Sequence, residues 1–182
     1  MKNLFTQRKL LRLKKFDYST PGYYFVTICT KRRIPFFGEI INRNIILNEI
    51  GNIVKQQWLW LEKNFKYVKL DEWIIMPNHL HGIVIINNYV GIGRDRSLPT
   101  KIKPLPELIG AFKTTSSKLI HQLGSNSFQW QKSYYNHIIR NEKSLQKIRQ
   151  YIRYNHLKWE TDIENPKNYL LKTTNYYEKL FS

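Results

Sequence analysis

Two adjoining apolar runs near the middle of the chain constrain its fold more than any other feature. They cover 67–76 and 79–86, and only Pro77 and Asn78 separate them. Both runs are rich in β-branched and aromatic residues, and both have the length of strands rather than of helices. They therefore predict two neighbouring strands split by a short turn. The rest of the chain must cover the apolar faces of the sheet that these strands build.

The segments on either side of this pair predict further strands and helices. Tyr23 to Thr30 (YYFVTICT) has no polar alternation, which indicates a buried strand. A hairpin is predicted over 37–47, and Asn48 then caps a helix that ends near Phe65. The remaining predictions are a helix over about 106–123, strands over 128–130 and 134–139, and a helix from Glu142 to about Asn155.

The order of these elements is β, α, β, β, α, β, which is typical of the split βαβ, ferredoxin-like fold. We therefore predict an α+β protein with an antiparallel sheet, helices on one face, and one additional helix after the last strand. Within the chain we expect a basic N-terminal arm over 1–20, a folded domain over 21–158 and a C-terminal tail over 159–182. Because this fold serves many functions, the function must come from particular residues.

The charge of the chain indicates a polyanionic partner. The chain has 30 Lys and Arg residues but only 13 Asp and Glu residues, which gives a formal net charge of +17. This excess favours nucleic acid over an anionic membrane, and the 12 Tyr, 9 Phe and 5 Trp residues offer faces on which unpaired bases can stack. The candidate nucleic-acid contacts are Arg94, Arg96, Lys101, Lys103, Arg140 and Lys147.

The cysteine count and the hydropathy pattern indicate a cellular compartment. A single cysteine, Cys29, excludes an internal disulfide and a thiolate metal cluster. No stretch is long and apolar enough to span a membrane, and 1–15 lacks the apolar core of a signal peptide. We therefore predict a cytoplasmic protein.

The strand over 79–86 begins with two histidines in alternate positions. Residues i and i+2 of a strand project from the same face, so His79 and His81 can converge on one ion while Leu80 points into the core. Imidazole nitrogens suit several divalent metals, and a mixed nitrogen and oxygen site accepts Mg²⁺ or Mn²⁺. Taken alone, a His-x-His pattern more often reflects two histidines on a half-exposed strand.

The last predicted helix carries a second pair of polar residues. At about 100° per residue, Tyr151 and Asn155 lie on one flank of the helix, at the edge of the stripe formed by Leu145, Ile148 and Ile152. Tyr154 falls on the opposite side, toward solvent. The helix geometry thus favours Tyr151 as a reacting phenol, although a tyrosine that merely closes the edge of a core would also lie there.

Together these segments resemble a known family. The stretches MPNHLHGIV and WQKSYYNHIIRNEKSLQKIRQYIRYN resemble the REP-associated tyrosine transposases, within the single-tyrosine HUH (IS200-like) transposases. The resemblance spans about 23–156. It implies that 21–158 is an HUH catalytic domain, that Tyr151 is the nucleophile, and that Asn155 is a third metal ligand beside His79 and His81.

The resemblance also implies an activity and its partners. We expect a metal-dependent single-stranded DNA endonuclease and strand transferase that forms a 5′-phosphotyrosine at hairpin or repeated palindromic DNA, with Mg²⁺ or Mn²⁺ as the cofactor. Tyr134 and Tyr135 are competing nucleophiles, and both a monomer and a homodimer stay open. The alternatives are a non-catalytic single-stranded nucleic-acid-binding module on the same fold, and a replication initiator or relaxase of the HUH group.

Overall fold

The computed structural model describes residues 16–87, 102–171 and 176–181. Most of the predicted basic arm and the candidate DNA contacts Arg94, Arg96 and Lys101 lie outside these ranges. The strands of the described residues are β1 (Gly22–Cys29), β2 (Gly38–Ile41), β3 (Asn44–Leu47), β4 (Val68–Met76), β5 (His79–Ile86) and β6 (Tyr135–Ile139). The helices are α1 (Glu49–Asn64), α2 (Leu105–Gln122), α3 (Glu142–Arg153) and α4 (Tyr176–Phe181).

Four strands form the main sheet in the order β4-β5-β1-β6, and every neighbouring pair is antiparallel. Strand β1 lies between β5 and β6, so that Thr27 faces His81 on one side and Tyr135 on the other. This order, with one helix between β1 and β4 and another between β5 and β6, is that of the ferredoxin-like fold. The predicted fold class is confirmed.

The two faces of the sheet bury different helices. Helices α1 and α2 cover one face, where Leu80 and Val84 pack with Trp58 and Phe112. Helix α3 covers the other face through Ile148 and its neighbours, which pack on Phe25 and Ile83. Because side chains alternate along a strand, the even-numbered residues of β5 face α1 and the odd-numbered ones face α3. His79 and His81 therefore lie on the α3 side.

Helix α3 is held in place at its start and along its length. Its first turn is capped by Asn141, whose side chain accepts a hydrogen bond from the backbone nitrogen of Ser144 at 2.8 Å. Further along, the guanidinium of Arg149 donates two hydrogen bonds to Oδ2 of Asp71 on β4, at 3.0 and 2.7 Å. This half-buried pair fixes the rotation of the helix against the sheet.

The hairpin predicted over 37–47 is present as β2 and β3, whereas two other predictions need correction. Residues 128–130 do not form a strand: only an isolated bridge joins Trp130 to Thr30, because the aromatic rings of this segment pack into the core against Phe37. Helix α3 ends at Arg153, so Asn155 belongs to the following 3-10 turn (Asn155–Thr161). None of the described helices is long and apolar enough to cross a membrane.

Candidate active site

The two histidines of β5 form the centre of the site. His79 and His81 are both fully buried, and their ring centroids lie 4.4 Å apart. Leu80 between them is buried in the opposite core, as strand alternation predicts. The two imidazoles therefore converge between the sheet and α3, where metal ligands would be shielded from water.

Each ring is anchored through its Nδ1 atom. Nδ1 of His81 lies 2.9 Å from the hydroxyl of Thr27 on β1, and Nδ1 of His79 lies 2.8 Å from the side-chain oxygen of Asn78. Histidines that bind metals usually hold one ring nitrogen in such a hydrogen bond, which orients the other nitrogen toward the ion. With Nδ1 so used, a metal ion bound by these histidines would be met by their Nε2 atoms.

Burial also sets the protonation state of His81. The pKa of His81 is lowered to about 3, first by its removal from water and then by the neighbouring His79. An imidazole with such a pKa is neutral at physiological pH, and only the neutral ring offers a lone pair to a metal. His81 is thus ready to act as a ligand without first losing a proton.

A carboxylate completes this group from a part of the chain that sequence analysis assigned to the tail. Asp162 is buried, and the ligand atoms of Asp162, His79 and His81 all lie within 4.8 Å of one another. Burial raises the pKa of Asp162, while His81 and the hydrogen bonds that the carboxylate accepts act in the opposite direction. The sequence holds one weak signal for it: Asp162 and Glu164 flank an apolar residue in an otherwise basic chain.

Asn155 contacts the carboxylate of this group. It is 2% exposed, and its Nδ2 donates a hydrogen bond to Oδ2 of Asp162 at 2.7 Å. With the amide nitrogen so used, the side-chain oxygen makes no hydrogen bond to any described residue. A divalent cation held by Asp162 and the two imidazoles would give this buried oxygen, on a side chain that contacts Asp162, a partner as well.

Tyr151 reaches the site from α3. Its hydroxyl lies 3.3 Å from Nε2 of His81, and its ring packs edge-on against Phe25. Burial, followed by the negative charge of Asp162, raises the pKa of Tyr151 well above its ordinary value. In the protein alone, the phenol is therefore protonated, and it needs a cation or a base nearby to become a nucleophile.

The competing tyrosines occupy different surroundings. Tyr154 is 45% exposed at the end of α3. The ring of Tyr135 packs against that of Tyr177 at 4.6 Å, and Tyr134 lies beside Lys113.

A further tyrosine near the histidines, Tyr177 of α4, was not singled out by sequence analysis. Its ring lies 6.0 Å from that of His81, and its hydroxyl donates a hydrogen bond to Glu164. Of these phenols, Tyr151 is the one placed with its hydroxyl against a histidine nitrogen.

A buried ion pair lies beside the group formed by His79, His81 and Asp162. Glu164 accepts hydrogen bonds from the guanidinium of Arg33, and the thiol of Cys29 lies 3.4 Å from the same carboxylate. Because Glu164 follows Asp162 by two residues, this pair anchors the segment that carries Asp162. Removing either charge would leave the other buried without its partner.

The described basic candidates for DNA contact lie at different distances from Tyr151. Lys147 is exposed on α3, one helical turn before Tyr151. Arg140 is exposed just after the far end of β6. Lys103 lies over the ring of Phe65, near the end of β5 remote from the histidines and on the α1 side of the sheet.

Comparisons with known proteins agree with this architecture. No family model matches the sequence. An uncharacterized protein of Haemophilus influenzae (strain ATCC 51907 / DSM 11121 / KW20 / Rd) is 38% identical over 164 residues, covering 85% of this chain and 91% of that protein. The structure of a REP-associated tyrosine transposase bound to a REP hairpin has a TM-score of 0.54 and 16% identity, covering 81% of this chain and 73% of that one.

The fold and the site define an α+β class of protein in which a ferredoxin-like sheet presents a buried histidine pair to a tyrosine on a covering helix. REP-associated tyrosine transposases share this fold, so the resemblance noted in the sequence is confirmed at the level of the fold. The chain belongs to the same family as the Haemophilus influenzae protein.

Proposed function

We propose that the protein is a metal-dependent, single-stranded DNA endonuclease and strand transferase whose nucleophile is Tyr151. The observation that carries this proposal is the position of the Tyr151 hydroxyl, 3.3 Å from Nε2 of a histidine in a buried group of side chains that could hold a metal ion. A phenol and a divalent-cation site in direct contact are the parts that phosphodiester transfer to a tyrosine requires.

The metal would be held by His79, His81, Asp162 and Asn155. Two imidazole nitrogens and two side-chain oxygens form a donor set that suits Mn²⁺ and accepts Mg²⁺. A divalent cation bound there supplies positive charge that neutralises the scissile phosphate and the departing oxygen. Sequence reasoning supplied three of these ligands, and Asp162 is added from the structure.

Tyr151 would perform the covalent step. Its phenolic oxygen forms a bond to the phosphorus as the bond from phosphorus to the 3′ oxygen breaks, leaving a 5′-phosphotyrosine and a free 3′-hydroxyl. The phenol proton passes to solvent, and the departing 3′ oxygen takes up a proton in turn. Because the phosphodiester energy stays in the new ester, a second 3′-hydroxyl can reverse the reaction and join strands without ATP.

The remainder of the molecule fits an extended anionic substrate. The net charge of +17 favours DNA, and the half-buried ring of Trp159 lies 6.1 Å from the ring of His79, where it can stack on an unpaired base. Lys147, one helical turn before Tyr151 on α3, is the candidate contact for the backbone next to the cut, and Arg140 is a candidate farther along, whereas Lys103 lies on the opposite face of the sheet. The structural neighbour bound to a REP hairpin supports hairpin DNA as the substrate class.

A nicking assay tests the proposal. Labelled single-stranded DNA carrying a hairpin is incubated with Mn²⁺ or Mg²⁺, with EDTA, and with EDTA followed by excess metal. We expect cleavage that leaves a 3′-hydroxyl, requires the metal, and is weaker on the fully paired duplex. Tight hairpin binding without cleavage across a set of hairpins would instead favour a non-catalytic binding module.

A further inference from the structure

Asn78, in the turn between β4 and β5, is fully buried and makes three hydrogen bonds. Its amide nitrogen donates to the backbone oxygen of Arg33 at 3.0 Å and to that of Glu164 at 2.9 Å. Backbone oxygens accept hydrogen bonds and cannot donate them, so these two contacts use both amide hydrogens. The orientation of the amide is therefore fixed, with its oxygen on the side of His79.

This orientation determines which nitrogen of His79 carries hydrogen. The side-chain oxygen of Asn78 lies 2.8 Å from Nδ1 of His79, and an amide oxygen can only accept. Nδ1 must therefore be the protonated nitrogen, and a neutral imidazole carries only one hydrogen. We propose that Asn78 is a positioning residue that selects the Nδ1-protonated tautomer of His79 and so turns the Nε2 lone pair toward the metal. This inference rests on the proposed metal site.

The second histidine is held differently. Nδ1 of His81 faces the hydroxyl of Thr27, and a hydroxyl can either donate or accept. Thr27 therefore orients the ring of His81 but does not select its tautomer. Of the two residues that anchor the histidines through Nδ1, only Asn78 can do so with a single tautomer of its histidine.

Asn78 also joins two separate parts of the ligand group. The same amide that orients His79 donates to Glu164, two residues beyond Asp162. The turn that begins β5 and the segment that carries Asp162 are thus held to one side chain. Loss of the amide would disturb both the tautomer and the spacing between the ligands, and these two effects can be separated experimentally.

The experiment uses NMR of the metal-free protein labelled with ¹⁵N-histidine. Long-range proton–nitrogen correlations at about pH 8, above the ordinary imidazole pKa, identify which ring nitrogen carries hydrogen. We expect the Nδ1-protonated form for His79 in the wild type. A wild-type spectrum with the Nε2-protonated form would overturn the inference without any variant, even where DNA cleavage and metal binding are normal.

Two variants separate tautomer selection from a structural role. Asn78→Ala removes the acceptor and releases the tautomer, whereas Asn78→Asp loses both amide donors but keeps an acceptor for Nδ1. We expect the Nε2-protonated form to gain population in Asn78→Ala only, and the Mn²⁺ affinity measured by calorimetry to fall about 10- to 100-fold there but less in Asn78→Asp. Equal losses in both variants would reduce Asn78 to a structural residue. Asn136→Ala, at a buried asparagine of β6, is the control.

Discussion

The hydroxyl of Tyr151 and Nε2 of His81 lie 3.3 Å apart, although 70 positions separate the two residues in the chain. The sheet presents the histidine, and α3 presents the tyrosine through a cap at Asn141 and an ion pair between Arg149 and Asp71. The proposed nucleophile and the proposed metal ligand come from two separate elements, so they keep this distance only while those elements stay packed. The site therefore depends on the core beneath it.

Replacing Asp162 by asparagine tests whether this carboxylate is a metal ligand. The Asp162→Asn variant keeps the size of the side chain but loses its charge. We therefore expect the Mn²⁺ affinity to fall by about tenfold or more, which is at least the loss seen when a residue that only hydrogen-bonds to a metal ligand is replaced. Calorimetry measures the effect. Glu160→Gln removes one negative charge from an exposed position of the same segment and should leave the affinity near the wild-type value. Equal affinities in the wild type and Asp162→Asn would exclude Asp162 from the site.

Gly82 tests the dependence of the site on the core. A Cβ atom added there would lie 2.6 Å from the buried ring of Trp58 on α1. We expect Gly82→Ala to lower the free energy of unfolding by about 1–3 kcal/mol, because α1 must move away from the sheet directly behind His81. Urea titration measures this change.

Gly110 in α2 is the matched control, since an added Cβ there meets nothing within 4 Å. Gly110→Ala should raise the free energy of unfolding by about 0.5–1 kcal/mol, the gain expected when alanine replaces glycine within a helix. If both variants changed the free energy of unfolding in the same direction, the result would contradict the close packing of Trp58 on Gly82.

The low pKa of His81 predicts acid sensitivity of the metal-free protein. In the unfolded chain an imidazole binds a proton below its ordinary pKa of 6.5, whereas in the folded protein His81 does so only near 3. Below pH 6.5 the unfolded state thus binds more protons, so stability falls progressively as the pH drops toward 3. In EDTA, the slope of the free energy of unfolding against pH between about pH 3 and 6.5 should be smaller in His81→Gln, by the amount that corresponds to about one proton bound on unfolding. A slope unchanged from the wild type would contradict the burial of a neutral imidazole.

Local patterns in the sequence were sufficient for most of the fold. The apolar runs predicted the strands, Asn48 correctly marked the start of α1, and the element order led to the ferredoxin-like sheet. The strand predicted at 128–130 failed because aromatic residues favour strands and cores alike, and here Phe128 and Trp130 fill a core beside Phe37. Tertiary packing overrode local preference there.

The site was less accessible to sequence reasoning than the fold. Strand alternation was enough to place His79 and His81 on one face, and helical periodicity separated Tyr151 from Tyr154. Asp162 could not be found in this way, because it lies in a 3-10-rich segment without a repeating pattern, and its approach to His81 depends on long-range contacts. Among these is the buried pairing of Glu164 with Arg33.

The covalent intermediate tests the central claim most directly. The wild type, Tyr151→Phe and Tyr154→Phe are incubated with labelled hairpin DNA and Mn²⁺, denatured, and analysed for protein–DNA adducts, with the modified residue located by mass spectrometry. We predict an adduct on Tyr151 in the wild type and in Tyr154→Phe, and none in Tyr151→Phe, whose fold and hairpin binding remain intact. An adduct of undiminished yield in Tyr151→Phe, attached to Tyr135, Tyr154 or Tyr177, would contradict the assignment of Tyr151 as the nucleophile.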